Sequence, residues 1–206
     1  MKVMKFGGSS VADADRIRSV AGLVRESARA GRVVVVLSAL QGITDLLVAA
    51  ARAAEAGSDE FRTMLDTLRA RHLEAVRGLF APADQASVIT PLTLMANELE
   101  EVLHGVELLR ECTHRTMDLA MSFGERMSCA IFTAFLAAHG GKAQYIDASN
   151  GSLGLSAELL VQKISDRKLE QTTVRPTGVA ILVGAGVGLI LWALIWLVAP
   201  ALRMKA

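Results

Sequence analysis

The chain has little cysteine, few aromatic side chains and almost no excess of either charge. Two of its 206 residues are cysteine, Cys112 and Cys129. Two thiols are too few for a disulfide scaffold. Neither stands at zinc-type spacing from His72, His104, His114 or His139, so no protein-held metal is expected. Aromatic residues make up 4% of the chain, which leaves no base-stacking surface of the kind that grips single-stranded nucleic acid. Lys plus Arg is 22 and Asp plus Glu is 21, a net charge of +1. Without a basic stripe there is no electrostatic footprint for nucleic acid as a partner. No repeat at solenoid periods is present.

Apolar residues are 52% and charged residues 21%, which excludes disorder as the overall class. The length suits one ordinary domain and an appendage. The mean hydropathy of +0.39 is high, and the excess lies near the C-terminus. Val179 to Leu202 is a run of 24 residues without a charge. As a helix it would reach about 36 Å, enough for a hydrocarbon core of about 30 Å. The competing reading of such a run is a buried core helix. The expected organisation is a folded domain over 1–148, a polar linker over 149–178, a transmembrane helix over 179–202 and a short basic tail over 203–206. Gly184 and Gly188 form a small-xxx-small pair on which two such helices would pack as a homo-oligomer. Lys163, Arg167, Lys168 and Arg175 on one side outnumber Arg203 and Lys205 on the other. The positive-inside rule then anchors the chain in a membrane with its N-terminal domain cytoplasmic.

Within the first 148 residues, apolar spacing predicts strands at Val3–Phe6, Val33–Leu37 and Lys142–Ile146. The Val-Val-Val-Val-Leu run reads as a strand buried on both faces, as in a parallel sheet covered by helices. Helical spacing follows the first strand (Ile17, Val20, Ala21, Val24), covers Ile43–Ala56, and continues near 59–79, 86–110 and 114–138. This alternation is that of an α/β sandwich. The histidines read as surface or capping residues, Cys129 as an inert buried thiol, the scattered methionines as core filler, and Glu98, Glu100 and Glu101 as a solvated helix face.

Three segments carry chemistry. Lys5-Phe6-Gly7-Gly8-Ser9-Ser10-Val11 places glycines where a strand meets a helix. Glycine lets backbone N–H groups approach a phosphate closely, the helix end adds its dipole, and Lys5 adds a mobile positive charge. The lysine precedes the glycines, so this is not a Walker A loop. A tight turn with a surface lysine is the plain alternative. Leu37-Ser38-Ala39, followed by Gly42-Ile43-Thr44-Asp45, puts a hydroxyl at the carboxyl end of a buried strand, the edge at which open α/β sheets bind ligands. Helix capping by Ser38 or Thr44 is the alternative. Ser122-Phe123-Gly124-Glu125-Arg126 sets a glycine inside a helix at a cost of about 1 kcal/mol, which implies close packing or a ligand at Gly124. A surface Glu125–Arg126 pair is the alternative there.

In this order the three segments resemble aspartate kinases of the amino-acid kinase family, over residues 1 to about 148. His72–Phe80 and His104–Cys112 resemble the helical insertion of that family. The resemblance implies a partial three-layer α/β sandwich with a parallel sheet and helical insertion. It implies phosphoryl transfer from ATP, with Mg2+, to the side-chain carboxylate of L-aspartate, the step that opens lysine, methionine and threonine synthesis. Lys5 would stabilise the phosphoryl group. Gly7, Gly8 and Ser9 would face the phosphates. Ser38, Thr44 and Glu125 would hold aspartate, with Glu125 on its α-ammonium. The family's kinase domain continues with an arginine for the α-carboxylate, a Gly-Arg-Gly-Gly-Ser-Asp segment and a Thr-Asp-Val-Asp-Gly segment, none of which occurs in this sequence. The resemblance therefore implies an impaired or partner-dependent kinase that draws its nucleotide half from a second chain. The alternative is a non-catalytic fragment or a membrane-tethered aspartate-binding module.

Overall fold

The computed structural model describes residues 2–147 and 179–183. Among these residues four parallel strands form one sheet: β1 (Lys2–Phe6), β2 (Val33–Leu37), β3 (Ala143–Asp147) and β4 (Val179–Val183), in the order β1-β2-β4-β3. β1 and β2 run in register from Lys2 opposite Val33 to Phe6 opposite Leu37, so both strands end at the same edge. β4 pairs with β2 on one side and with β3 on the other.

The expected transmembrane helix is overturned where it would begin. Residues 179–183 are an inner strand, hydrogen-bonded along both edges. An uncharged, β-branched stretch suits a strand between two parallel neighbours as well as it suits lipid. The folded unit thus reaches beyond residue 148. The rest of the expected span, 184–202, and the expected linker, 149–178, lie outside the described residues. Among the described residues no helix is long and apolar enough to cross a membrane.

Among the described residues five α-helices accompany the sheet: α1 (Ala14–Arg29), α2 (Ile43–Ala56), α3 (Glu60–Leu79), α4 (Pro82–Leu109) and α5 (His114–Ala138). Asp13 caps α1, its carboxylate accepting the Arg16 N–H at 2.9 Å, and Ile17, Val20, Ala21 and Val24 are buried along one stripe. α4 starts earlier than its apolar spacing predicts because Pro82 opens its first turn, where a missing N–H costs nothing. Thr113 caps α5 by accepting the Thr116 N–H at 3.1 Å.

α1 lies against β1 and β2, α5 lies against β2, β4 and β3, and the two helices touch each other, so they share one sheet face. Val33, Val35 and Leu37 enter the core on that face, with Met4, Phe6, Ala143 and Tyr145 packed beside them. Of the expected sandwich, the described residues supply the sheet and this one helical layer. α2, α3 and α4 pack in turn against one another and against α5, forming the helical insertion. The acidic run on α4 is not merely solvated. Glu98 pairs with Arg126 on α5 at 3.2 Å, and Glu100 pairs with Arg69 on α3 at 2.5 Å.

His72 departs from its expected surface role. It is 2% exposed; its Nδ1 lies 2.8 Å from the Leu68 carbonyl, and its Nε2 has no hydrogen-bond partner. Burial pushes its pKa down to about 4, with the nearby Arg71 charge acting the same way. The neutral ring is therefore the folded form. Below the ordinary histidine pKa of about 6.5, the unfolded chain takes up a proton that the folded chain refuses. Stability should fall by up to about 3 kcal/mol as pH drops from 6.5 to 4. Urea titrations across that range should show the loss in the native chain and a smaller one in His72→Leu.

Candidate functional site

The site forms where β1 and β2 end. After Phe6 the chain passes through Gly7 into a 3-10 turn, Gly8–Val11, closed by the Ser10 N–H donating to the Gly7 carbonyl at 2.9 Å. A Cβ on Gly8 would stand 3.1 Å from the Ala39 carbonyl oxygen, whereas one on Gly7 would meet nothing within 4 Å. Gly8 is thus packed against the segment after β2, and Gly7 faces open space. Arg16 of α1 donates to the Ser9 carbonyl at 3.0 Å and holds the turn from behind. Lys5, the penultimate residue of β1, is exposed.

β2 delivers Ser38 beside this turn. The Ser38 N–H donates to the Phe6 carbonyl at 3.0 Å, extending the strand pairing by one residue. The Ser38 carbonyl accepts from Ser128 Oγ of α5 at 2.8 Å. The backbone then turns through Leu40 and Gly42 into α2, where no side chain caps the helix, so capping does not explain Ser38 or Thr44. Thr44 is exposed in the first turn of α2.

α5 closes the site from the core side. A Cβ on Gly124 would fall 2.9 Å from Ala39 Cβ, 3.0 Å from Ile43 Cγ2 and 3.1 Å from Leu47 Cδ1. Close packing is therefore the role of this helical glycine. It brings Glu125 to the end of β2. Glu125 is 9% exposed, and its Oε2 has no hydrogen-bond partner. It does not pair with its neighbour: Arg126 turns away to Glu98 and lies 4.4 Å over the Phe123 ring. Burial pushes the Glu125 carboxyl up to about 7, and the Lys5 ammonium partly opposes this.

The structure therefore brings Lys5, Gly8, Ser38 and Glu125 to one edge of the sheet. Ser9 and Thr44 border it. No hydrogen bond among the described residues links their side chains to Lys5, Ser38 or Glu125. Sequence reading missed Ser128. The available signal was its place three residues after Glu125, one turn along the same helix face. Magnesium keeps several of its waters and is usually bound through substrate phosphates. The open backbone at Gly7 and the mobile Lys5 charge suit such phosphates. Among the described residues no three His, Cys, Asp or Glu side chains cluster to hold a metal themselves.

Two substitutions test this packing and charge. Gly124→Ala should cost about 1–3 kcal/mol of stability in denaturant unfolding, because three neighbours must move. Glu125 has a folded pKa above its unfolded value. Its contribution is present below about pH 4.5 and is lost as pH rises through 7. Glu125→Gln should therefore be more stable than the native chain at pH 8, by on the order of 2–3 kcal/mol, and close to it at pH 4.5. Paired urea titrations at the two pH values check the sign.

The chain matches the sequence profile of the amino acid kinase family over residues 1–185. Its N-terminal part is similar to aspartokinases. It is 40% identical over 149 residues to chloroplastic aspartokinase 3 of Arabidopsis thaliana, covering 71% of this chain and 25% of that protein. It is 36% identical over 148 residues to chloroplastic aspartokinase 1 of the same plant, with the same shares of each chain. It is 31% identical over 159 residues to the aspartokinase of Saccharomyces cerevisiae, covering 72% of this chain and 30% of that one. The chain thus spans between a quarter and a third of these relatives' length. In structure it is similar to E. coli aspartokinase III solved with lysine and aspartate, at a TM-score of 0.75 and 26% identity, covering 98% of this chain and 47% of that one. A second structure of that enzyme, with aspartate and ADP, shares the fold at the same TM-score and 24% identity, with the same coverage. The chain belongs to the amino acid kinase family, and its first 150 or so residues are homologous to aspartokinases.

Proposed function

We propose that this chain binds L-aspartate and stabilises a phosphoryl group on its way from ATP to the aspartate side chain, the chemistry of an aspartate kinase. One observation carries the reading: a buried carboxyl, Glu125, lacks a partner for one oxygen and sits within reach of the Lys5 charge at the edge where β1 and β2 end. Similarity to aspartokinases supports it, as does the likeness to E. coli aspartokinase III, which was solved in complex with aspartate.

An α-ammonium arriving at Glu125 gives the carboxylate its missing partner. The Glu125 proton is released, and the ionised acid is then stabilised by the charge that it binds. The hydroxyls of Ser38 and Thr44 orient the rest of the amino acid. ATP, with its Mg2+, supplies the phosphoryl group. A carboxylate oxygen of aspartate forms the new P–O bond, the bond to the leaving ADP oxygen breaks, and aspartyl phosphate results. No protein nucleophile is required, because such transfers depend on positioning and charge neutralisation. Lys5 neutralises the moving group while Gly7, Gly8 and Ser9 present backbone to the phosphates.

A second reading is aspartate binding without turnover, which the partnerless oxygen of the buried Glu125 carboxyl supports by itself.

Trapping the product as its hydroxamate distinguishes these. The purified chain should form aspartyl hydroxamate only with ATP, and Lys5→Ala should lose at least about a hundredfold in rate. Aspartate binding by calorimetry with no hydroxamate selects the second reading. A folded chain that neither turns over nor binds aspartate overturns both.

A further inference from the structure

Ser128 lies outside the three sequence segments, yet it joins two of them. It is 2% exposed, and its hydroxyl stands 2.8 Å from the Ser38 carbonyl and 2.9 Å from the Glu125 carbonyl. One hydroxyl has one proton, so Ser128 shares it between two carbonyls, one at the end of β2 and one on α5. The first of these bonds spans ninety positions of sequence.

The Ser38 backbone is thereby held at both ends. Its N–H is given to Phe6 of β1, and its carbonyl is taken by α5. Only its side chain is left to act, and the Ser38 hydroxyl has no hydrogen bond among the described residues. Ala39, next along, rests on Gly124 of the same helix. A ligand that touches both Ser38 and Glu125 meets groups from two separate elements, so their spacing decides the fit. A displacement of about 1 Å between such groups is enough to cost a large part of binding or rate.

We propose that Ser128 is a positioning residue that braces Ser38, the residue after β2, against Glu125 of α5 and so sets the span of the aspartate pocket. This rests on the aspartate reading given above. The brace acts on the amino-acid side of the site. The phosphate-facing turn is held by other contacts, from Ala39 and Arg16.

The test compares Ser128→Ala with Thr133→Val in the full chain. Thr133 bonds only within α5, to the Cys129 carbonyl at 2.7 Å, so its variant controls for loss of a helix hydroxyl. Ser128→Ala should weaken aspartate binding in calorimetry by about tenfold, the size expected for one hydrogen bond. It should leave ATP affinity within about twofold, and Thr133→Val should change neither. A purely structural role would move both ligands together or neither. Hydrogen exchange of the amides at 38–40 should quicken in Ser128→Ala and not in Thr133→Val, a readout that needs no aspartate. If Ser128→Ala does not fold, Ser128→Cys keeps the shape with a weaker donor and takes the same measurements. A folded variant with native exchange at 38–40 and native aspartate affinity overturns the proposal, as does equal weakening of aspartate and ATP. A native chain that ignores aspartate sinks the functional reading itself. The exchange data then still report whether the brace holds Ser38.

Discussion

Three segments of backbone meet at Ala39, and each comes closer than ordinary side chains permit. The Gly8–Val11 turn approaches its carbonyl at Gly8, and α5 approaches its methyl at Gly124. Ala39 itself is 1% exposed. Larger residues at any of the three positions would push the strand ends and the helix apart. Lys5, Ser38 and Glu125 come from elements far apart in sequence, and this contact, with the Ser128 hydrogen bond to the Ser38 carbonyl, brings those elements together. The ion pairs across α3, α4 and α5 are only partly buried, and pairs that keep contact with water contribute little, typically about 0–1 kcal/mol each.

Much of this was legible in the sequence because it is local. The unbroken run Val33–Leu37 and the stripe Ile17, Val20, Ala21, Val24 announce their elements through period alone. A glycine inside α5 announces a close approach, and the structure provides one. What was not legible depends on partners distant in sequence. His72 reads as a surface residue on an amphipathic stretch, yet the neighbouring helices enclose it. The acidic residues of α4 find arginines on two other helices. Val179–Val183 has the composition of both a membrane segment and an inner strand. Only pairing with β2 and β3 distinguishes them.

His72 and Glu125 are both buried, and burial shifts each towards its neutral form. Their effects on stability run in opposite directions with pH. The histidine opposes acid, and the glutamate opposes base. The histidine has no place in the site, and its cost is simply that of a polar ring in a core. The glutamate's cost falls at the candidate site, where a positive charge brought beside it would relieve that cost. A buried acid without a partner is thus better suited to receiving a ligand than to holding the empty fold together.

The strand order carries a consequence for the chain as it is made. β4 sits between β2 and β3, yet it follows β3 in sequence by residues 148–178. On the ribosome, β1, β2 and α1 to α5 emerge while the inner slot of the sheet is still vacant. The edge of β2 stays unpaired until residue 183 has cleared the exit tunnel, and β3 waits for the same strand, its neighbour among the described residues. Nascent chains halted between 147 and 179 should therefore present an open, valine-rich edge, the kind of surface that invites chaperones or wrong partners.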